Sequence, residues 1–157
     1  MPRHAYKKTK VKGDKIYGSL EVSKFINYVM VDGKKAVAEK LLYQVFEDLK
    51  KQGADPLKIL HQAIENVAPL HEVKPRRLGG ASYLVPIEVR RDRKIYLASN
   101  WIINAAKTRS NKEFHTFSAK LLAEILDASK NQGTAVTKKI QTEKLAETNK
   151  AFSHLKW

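Results

Sequence analysis

The five histidines, at 4, 61, 71, 115 and 154, are the first side chains to weigh for chemistry, because imidazole titrates nearest neutral pH and is the commonest metal ligand. None stands four residues from another, so no helix face presents an imidazole pair to a metal. His61 lies within the apolar-periodic stretch of the third helix and reads as a partly buried or surface residue. Cysteine is absent, which removes thiolate ligands, thiol nucleophiles and disulfides together. Neither G-x-x-x-x-G-K-[ST] nor G-x-G-x-x-G occurs. Gly79-Gly80 sits between two extended runs, not at a strand-to-helix turn where backbone N–H groups cradle a nucleotide phosphate. No serine or aspartate has the neighbours of an activated nucleophile. The expectation is a protein without catalysis, cofactor, metal or small-molecule substrate.

The side chains that can do something are basic. Arg76 and Arg77 precede Gly79-Gly80, while Arg90, Arg91, Arg93 and Lys94 follow the second extended run. A guanidinium fork donates two parallel hydrogen bonds to a phosphate and is weakly hydrated, so it suits a polyanion better than a compact ammonium does. Lys34-Lys35 follows Asp32-Gly33 at a helix junction, where free backbone N–H groups would add to the field of the two lysines. Arg3, Lys7, Lys8, Lys10 and Lys12 crowd the N-terminus. Lys107 and Arg109 end one helical stretch, where positive charge suits the helix dipole; Lys138 and Lys139 begin another, where it does not. That conflict points to an outside anion for the second pair. Trp101 and Tyr83 have rings that can stack on bases, yet each also fits an apolar face.

The distribution of charge sharpens this reading. The chain of 157 residues carries 30 basic and 16 acidic side chains, for a formal charge of +14. Residues 1–15 hold +5, 16–70 balance at zero, 71–94 hold +4, 95–106 carry no charge, and 107–157 hold +5. Charge collected in patches implies a polyanionic partner. A membrane surface is disfavoured, since the basic segments lack interleaved large apolar faces. No apolar run approaches the ~18 residues of a membrane span. The N-terminal stretch also lacks the apolar core of a secretory signal, so it is expected to belong to the mature protein.

Those basic groups need a scaffold. One domain is expected, because 157 residues with 43% hydrophobic side chains suffice for one core. Ser19 caps a first helix whose Val22, Phe25, Ile26, Val29 and Met30 share a face. A second runs from about Lys34 to Gln52, and Asp55-Pro56 opens a third that Pro69 closes. Tyr83, Val85, Ile87 and Val89 alternate at period two, and with Gly79-Gly80 they predict a hairpin over about 71–89. Pro75 and Pro86 are expected to remove ladder donors and leave this ribbon an exposed arm. Asp92 is expected to cap a fourth helix, the capping box Ser110-Asn111-Lys112-Glu113 a fifth, and a sixth, apolar-poor helix runs from about Thr134 to Phe152. The predicted fold is mainly α: a six-helix bundle with a two-stranded ribbon between helices 3 and 4. Residues 1–15 form a basic, flexible arm and 16–157 a single helical domain.

In order along the chain, YGS at 17–19, KFIN at 24–27, DGKK at 32–35, ENV at 65–67, EVKPRRLGGASYLVPIEVR at 72–90, WIINAAKTRS at 101–110 and NKAFSHLKW at 149–157 resemble the bacterial-type ribosomal protein seven of the small subunit. The resemblance runs from about residue 14 to 157. It implies a primary binder of the 3′ major domain of small-subunit ribosomal RNA that nucleates assembly of the subunit head. It also implies a seat near the decoding centre, transfer RNA in the exit site and messenger RNA, with the ninth and eleventh small-subunit proteins as neighbours, in the ribosome of the cytoplasm or of an organelle. Carried over by position, RNA contact falls on Arg3, Lys7, Lys8, Lys10, Lys12, Lys34, Lys35, Arg76, Arg77, Gly79, Gly80, Arg90, Arg91, Arg93, Lys94, Lys107, Arg109, Lys138 and Lys139. The segment 137–150 departs from the family pattern, lacking an arginine- and histidine-bearing stretch, and Arg91 stands where members often have proline or another residue. On charge alone a free RNA- or DNA-binding adaptor remains an alternative.

Overall fold

The computed structural model describes residues 11–155. Within them, helices α1 (Leu20–Val29), α2 (Lys35–Lys51) and α3 (Pro56–Val67) precede a hairpin of β1 (His71–Leu78) and β2 (Ala81–Glu88). Helices α4 (Arg91–Thr108), α5 (Phe117–Ser129) and α6 (Thr134–Thr148) follow, and a 3₁₀ segment, Lys150–Leu155, closes the chain. The mainly helical fold with a ribbon inserted after the third helix is the one its periodicities predict. Helix α5 is the hub, packed against α2, α3, α4 and α6.

Local chemistry explains most boundaries. The Ser19 hydroxyl accepts the Val22 N–H and starts α1, and Asp32 and Gly33 at φ 54° and 73° break the chain away after it. The Asp55 carboxylate accepts the Leu57 N–H at 3.1 Å ahead of Pro56, whose missing N–H costs nothing in the first turn. The apolar faces then converge. Val22, Phe25 and Ile26 of α1, Leu42, Val45, Phe46 and Leu49 of α2, and Leu60, Ala63 and Val67 of α3 join Ala98, Ile102 and Ala106 of α4 and Leu121, Ile125 and Ala128 of α5 in one core.

Three boundaries differ from the sequence expectation. The capping box at 110–113 does not start α5. Ser110 Oγ accepts the Lys112 N–H at 3.2 Å and its carbonyl accepts the Phe114 N–H, so the box is used up in turns. The helix begins at Phe117, where Thr116 Oγ1 accepts the Ala119 N–H. The intervening loop is pulled inward by Lys120, whose buried ammonium donates to the Arg109 carbonyl and Asn111 Oδ1, each at 2.6 Å. Asp92 does not cap α4: it lies in the first turn and accepts from Lys24 of α1 at 3.0 Å, while Arg90 holds the cap position without a side-chain bond. Helix α6 ends at Thr148, and the 3₁₀ segment carries Phe152.

The ribbon also corrects a detail. Leu78 pairs with Ala81 around Gly79 and Gly80, both at positive φ (55° and 90°), as a two-residue hairpin turn requires. From that closing pair the hydrogen-bonded positions alternate, so the Val73–Pro86 and Pro75–Leu84 pairs are non-bonded ones. Each proline nitrogen therefore faces outward. The prolines leave the inner ladder intact and instead blunt both outer edges against a third strand. Nor is the whole ribbon an exposed arm. Val85 and Pro86 are buried, the Tyr83 ring lies 5.3 Å from that of Phe152, and the Leu70 N–H donates to Glu143 of α6 at 2.9 Å. Only the tip projects.

A carboxylate holds the C-terminal half together. Glu124 of α5 is 1% exposed. It accepts from Arg109 Nε at 2.8 Å and Nη2 at 2.5 Å, and its other oxygen accepts the Ala135 N–H at the start of α6 at 3.2 Å. Asp127 takes the same guanidinium. Removing one partner of a buried pair strands the other charge in low dielectric. Glu124→Ala is therefore expected to lose about 3 kcal/mol of unfolding free energy in urea titration, the low end of the range because Asp127 still pairs with Arg109.

Candidate nucleic-acid interface

Arg3, Lys7, Lys8 and Lys10 lie outside the described residues. Described chain starts at Val11, and a short anchor locks it to the body. The buried Asp14 carboxylate accepts the N–H groups of Ile16 and Tyr17 at 3.1 Å and the Tyr43 hydroxyl of α2 at 2.8 Å. Burial pushes the Asp14 carboxyl up, but the hydrogen bonds from Tyr17, Tyr43 and Ile16 together outweigh it and hold the group below its ordinary value. Burial, and then Asp14 itself, push Tyr43 up to about 12. Gly13 makes the turn possible: a Cβ there would stand 2.5 Å from the Gly18 carbonyl oxygen.

This anchor sets basic groups from distant parts of the sequence side by side. Lys12, Lys15, Lys35 and Glu39 share the rim of a hollow of about 270 Å³ between the anchor, α1 and α2. Lys34 is the cap residue of α2 and makes no side-chain cap bond, so the α2 start presents free N–H groups beside two exposed lysines. Lys15 was not singled out from the sequence. It was one more basic residue in a basic tail, and only the fold shows that it lines the same hollow as Lys35.

At the ribbon, Arg76 and Arg77 are neighbours in sequence and so point to opposite faces, Arg76 opposite Tyr83 and Arg77 opposite Ser82. Arg76 is half-buried and Arg77 exposed. Gly79 and Gly80 at the tip have open space where side chains would be, so a ligand can approach the backbone there. At the ribbon's base, Arg90, Arg91, Lys94 and Glu88 line an open groove of about 630 Å³. Arg93 turns aside from that cluster. Its guanidinium donates to Glu72 of β1 at 3.3 Å and lies 5.1 Å from the centroid of the Tyr96 ring, tying α4 to the ribbon.

Two other candidates are held internally. Arg109 is bound by Glu124 and Asp127, with its side chain 21% exposed. Lys139 donates to the Asn66 carbonyl at 2.9 Å. Positive charge that is unfavourable at the start of its own helix thus sits at the C-terminal end of α3, where it is favourable. The dipole conflict read from the sequence is resolved for Lys139 inside the protein. Lys138 and Lys107 remain exposed and have no ion-pair partner among the described residues.

Among the described residues no group of three or more His, Asp or Glu side chains is placed to hold a metal ion, and no helix is long and apolar enough to cross a membrane. A basic helical body with a ribbon arm and exposed cations at helix starts has the build of a ribonucleoprotein component. The chain matches the family described as Ribosomal protein S7p/S5e over residues 1–150. It is 49% identical over 157 residues to the small ribosomal subunit protein uS7 of Caulobacter vibrioides, covering 99% of this chain and 98% of that one. Against uS7 of Carboxydothermus hydrogenoformans the identity is 49% over 159 residues, covering both chains fully. Against that of Moorella thermoacetica it is 47% over 158 residues, covering 100% of this chain and 96% of the other. The chain belongs to the S7p/S5e family, and it is a structural component of the small ribosomal subunit and not an enzyme.

The anchor generates a pH-dependent expectation. A carboxyl whose folded-state pKa is depressed adds stability that is present above its unfolded value and is lost as pH falls through the folded one. Asp14→Asn is therefore expected to cost about 1 kcal/mol at pH 7. The gap between variant and parent should close as the pH drops below about 4, measured by urea unfolding at stepped pH.

Proposed function

We propose that this chain is a primary binder of ribosomal RNA that nucleates the head of the small subunit by docking on the 3′ major domain. The observation that carries this reading is the sorting of charge. Residues 16–70 and 95–106, which supply much of the core, have no net charge. Exposed or half-buried cations gather at the anchor and the α2 start (Lys12, Lys15, Lys34, Lys35), at the ribbon (Arg76, Arg77) and at the α4 start (Arg90, Arg91, Lys94). A rigid body holding cations at separate fixed points matches the phosphates of a folded RNA by shape and needs no base sequence to do so. The basic N-terminal residues add charge that a phosphate backbone attracts.

The finer partners follow from the same reading. The ribbon tip, with two glycines open to approach and an arginine on each face, reaches toward transfer RNA in the exit site and messenger RNA. The ninth and eleventh small-subunit proteins are its neighbours in the head of a cytoplasmic ribosome. Arg109 and Lys139 take no part in phosphate contact, because their charges are satisfied inside the protein.

Binding to a transcript of the 3′ major domain is expected to be tight and to exceed binding to random RNA. If about 6–10 phosphates are neutralised, affinity should fall roughly 10³–10⁵-fold between 50 and 200 mM salt. Salt-independent binding would sink the mechanism, and equal affinity for random duplex DNA would point to a free adaptor. The double variant Arg76→Ala, Arg77→Ala is expected to lower the salt slope by about two phosphate contacts while leaving the helical circular dichroism intact.

A further inference from the structure

Helix α4 presents Trp101, Asn104, Ala105 and Thr108 at helical spacing along one side. With Thr134 and Lys138 of α6 they line a shallow hollow of about 230 Å³. The six lining residues include no acidic side chain. Trp101 is only partly buried, its inner portion packed on the core. Neither its indole N–H nor the Asn104 amide has a hydrogen-bond partner among the described residues, and neither is a buried orphan, so both face solvent. The hydroxyls of Thr108 and Thr134 donate to the Ala105 carbonyl and to Glu124, so both are already used within the protein. Lys138 extends from the rim, exposed.

We infer that this hollow between α4 and α6 is a docking site for a single unstacked RNA base, held against the Trp101 indole with its phosphate at Lys138. The inference deepens the ribosomal RNA reading and rests on it, since it names a nucleotide-scale contact separate from the ribbon and the anchor. An aromatic face with an adjacent cation and an amide is the combination that holds an unpaired base. The ring stacks on any base, the amide offers both a donor and an acceptor to a base edge, and the ammonium meets the backbone. The accessible lining is mostly apolar, as the flat face of a base requires, and Lys138 is the one cation among the lining residues.

The chain has two tryptophans, so Trp157→Phe leaves Trp101 as the one intrinsic reporter. In that full-length background, titration with a six-nucleotide uridylate at low salt is expected to quench the indole emission. An abasic ribose-phosphate hexamer, which brings the same charge without bases, is expected to leave it unchanged. Lys138→Ala should weaken the quenching isotherm about threefold or more with the helical content unchanged. Trp101→Leu, checked by thermal unfolding, should lower hexamer affinity about tenfold, whereas Trp101→Phe should retain most of it. If Trp101→Leu proves unfolded, the Lys138→Ala isotherm and the abasic comparison still decide the matter. Equal quenching by the two hexamers, or none by either, overturns the base site. Should the 3′ major domain transcript still bind with its full salt dependence in that case, the ribosomal RNA reading survives and this face is left to a protein neighbour. Loss of transcript binding by the parent protein would instead overturn the broader reading.

Discussion

One buried carboxylate sets the arrangement of the C-terminal half. Glu124 lies where an ion is costly unless fully satisfied, and three neighbours satisfy it: the Arg109 fork after α4, the free N–H of Ala135 at the start of α6, and the hydroxyl of Thr134. A helix start and a guanidinium both carry positive charge, so one negative group stabilises both and fixes their separation. Gly133 completes the geometry, since a Cβ there would meet Glu124 Oε1 at 3.0 Å. Because α6 in turn receives the Leu70 N–H on Glu143 and packs against the ribbon, the direction of the arm follows from the position of that one carboxylate.

The same economy runs through the other inward-facing polar groups. Asn66 of α3 donates to the last carbonyls of α5, Ala128 and Ser129, while its own carbonyl accepts from Lys139. Lys120 closes the α4–α5 loop, and Lys24 ties α1 to the first turn of α4 through Asp92. Each of these bonds answers an orphan backbone group or a charge at a helix end. A large positive charge is thus divided in two. One part is bound at helix ends inside the fold, and another lies exposed on Lys34 and Lys35 at the α2 start, on Arg77 of the ribbon and on Arg90 and Arg91 at the α4 start. Only the second part is available to a polyanion.

The ribbon shows how a short sheet can project without becoming an aggregation edge. Two strands alone are marginal in water, so the base of the hairpin is buried against α6 and the 3₁₀ segment, with Val85, Pro86 and Val89 as its footing. Proline occupies an outward position on each strand, and arginine occupies both faces near the tip. The tip can therefore stay long and charged, without a third strand, while its root is held.

Much of this was legible in the sequence because it rests on local physics. Ser19 and Asp55-Pro56 mark helix starts through bonds made within three residues. The 3.6-residue spacing of Val22, Phe25, Ile26 and Val29 defines a buried face wherever the helix goes, and Gly79-Gly80 defines a turn that few other residues can make. The ordered motifs pointed to the family for the same reason: among the described residues, YGS, DGKK and the Gly79-Gly80 segment fall at caps and turns where alternatives are few. What the sequence could not decide was which polar groups have partners far along the chain. Ser110–Glu113 has every local mark of a helix start, yet Lys120 and Thr116 move that start to Phe117. Arg109 and Lys139 look like phosphate ligands until Glu124 and the Asn66 carbonyl, 15 and 73 residues away, are brought against them. Lys15 and Lys35 acquire a common surface only when Asp14 bonds to Tyr43. Backbone preference and apolar period act over a few residues and are written in the chain itself. The fate of a charge depends on what the fold places within about 3 Å of it, and only the tertiary structure decides that.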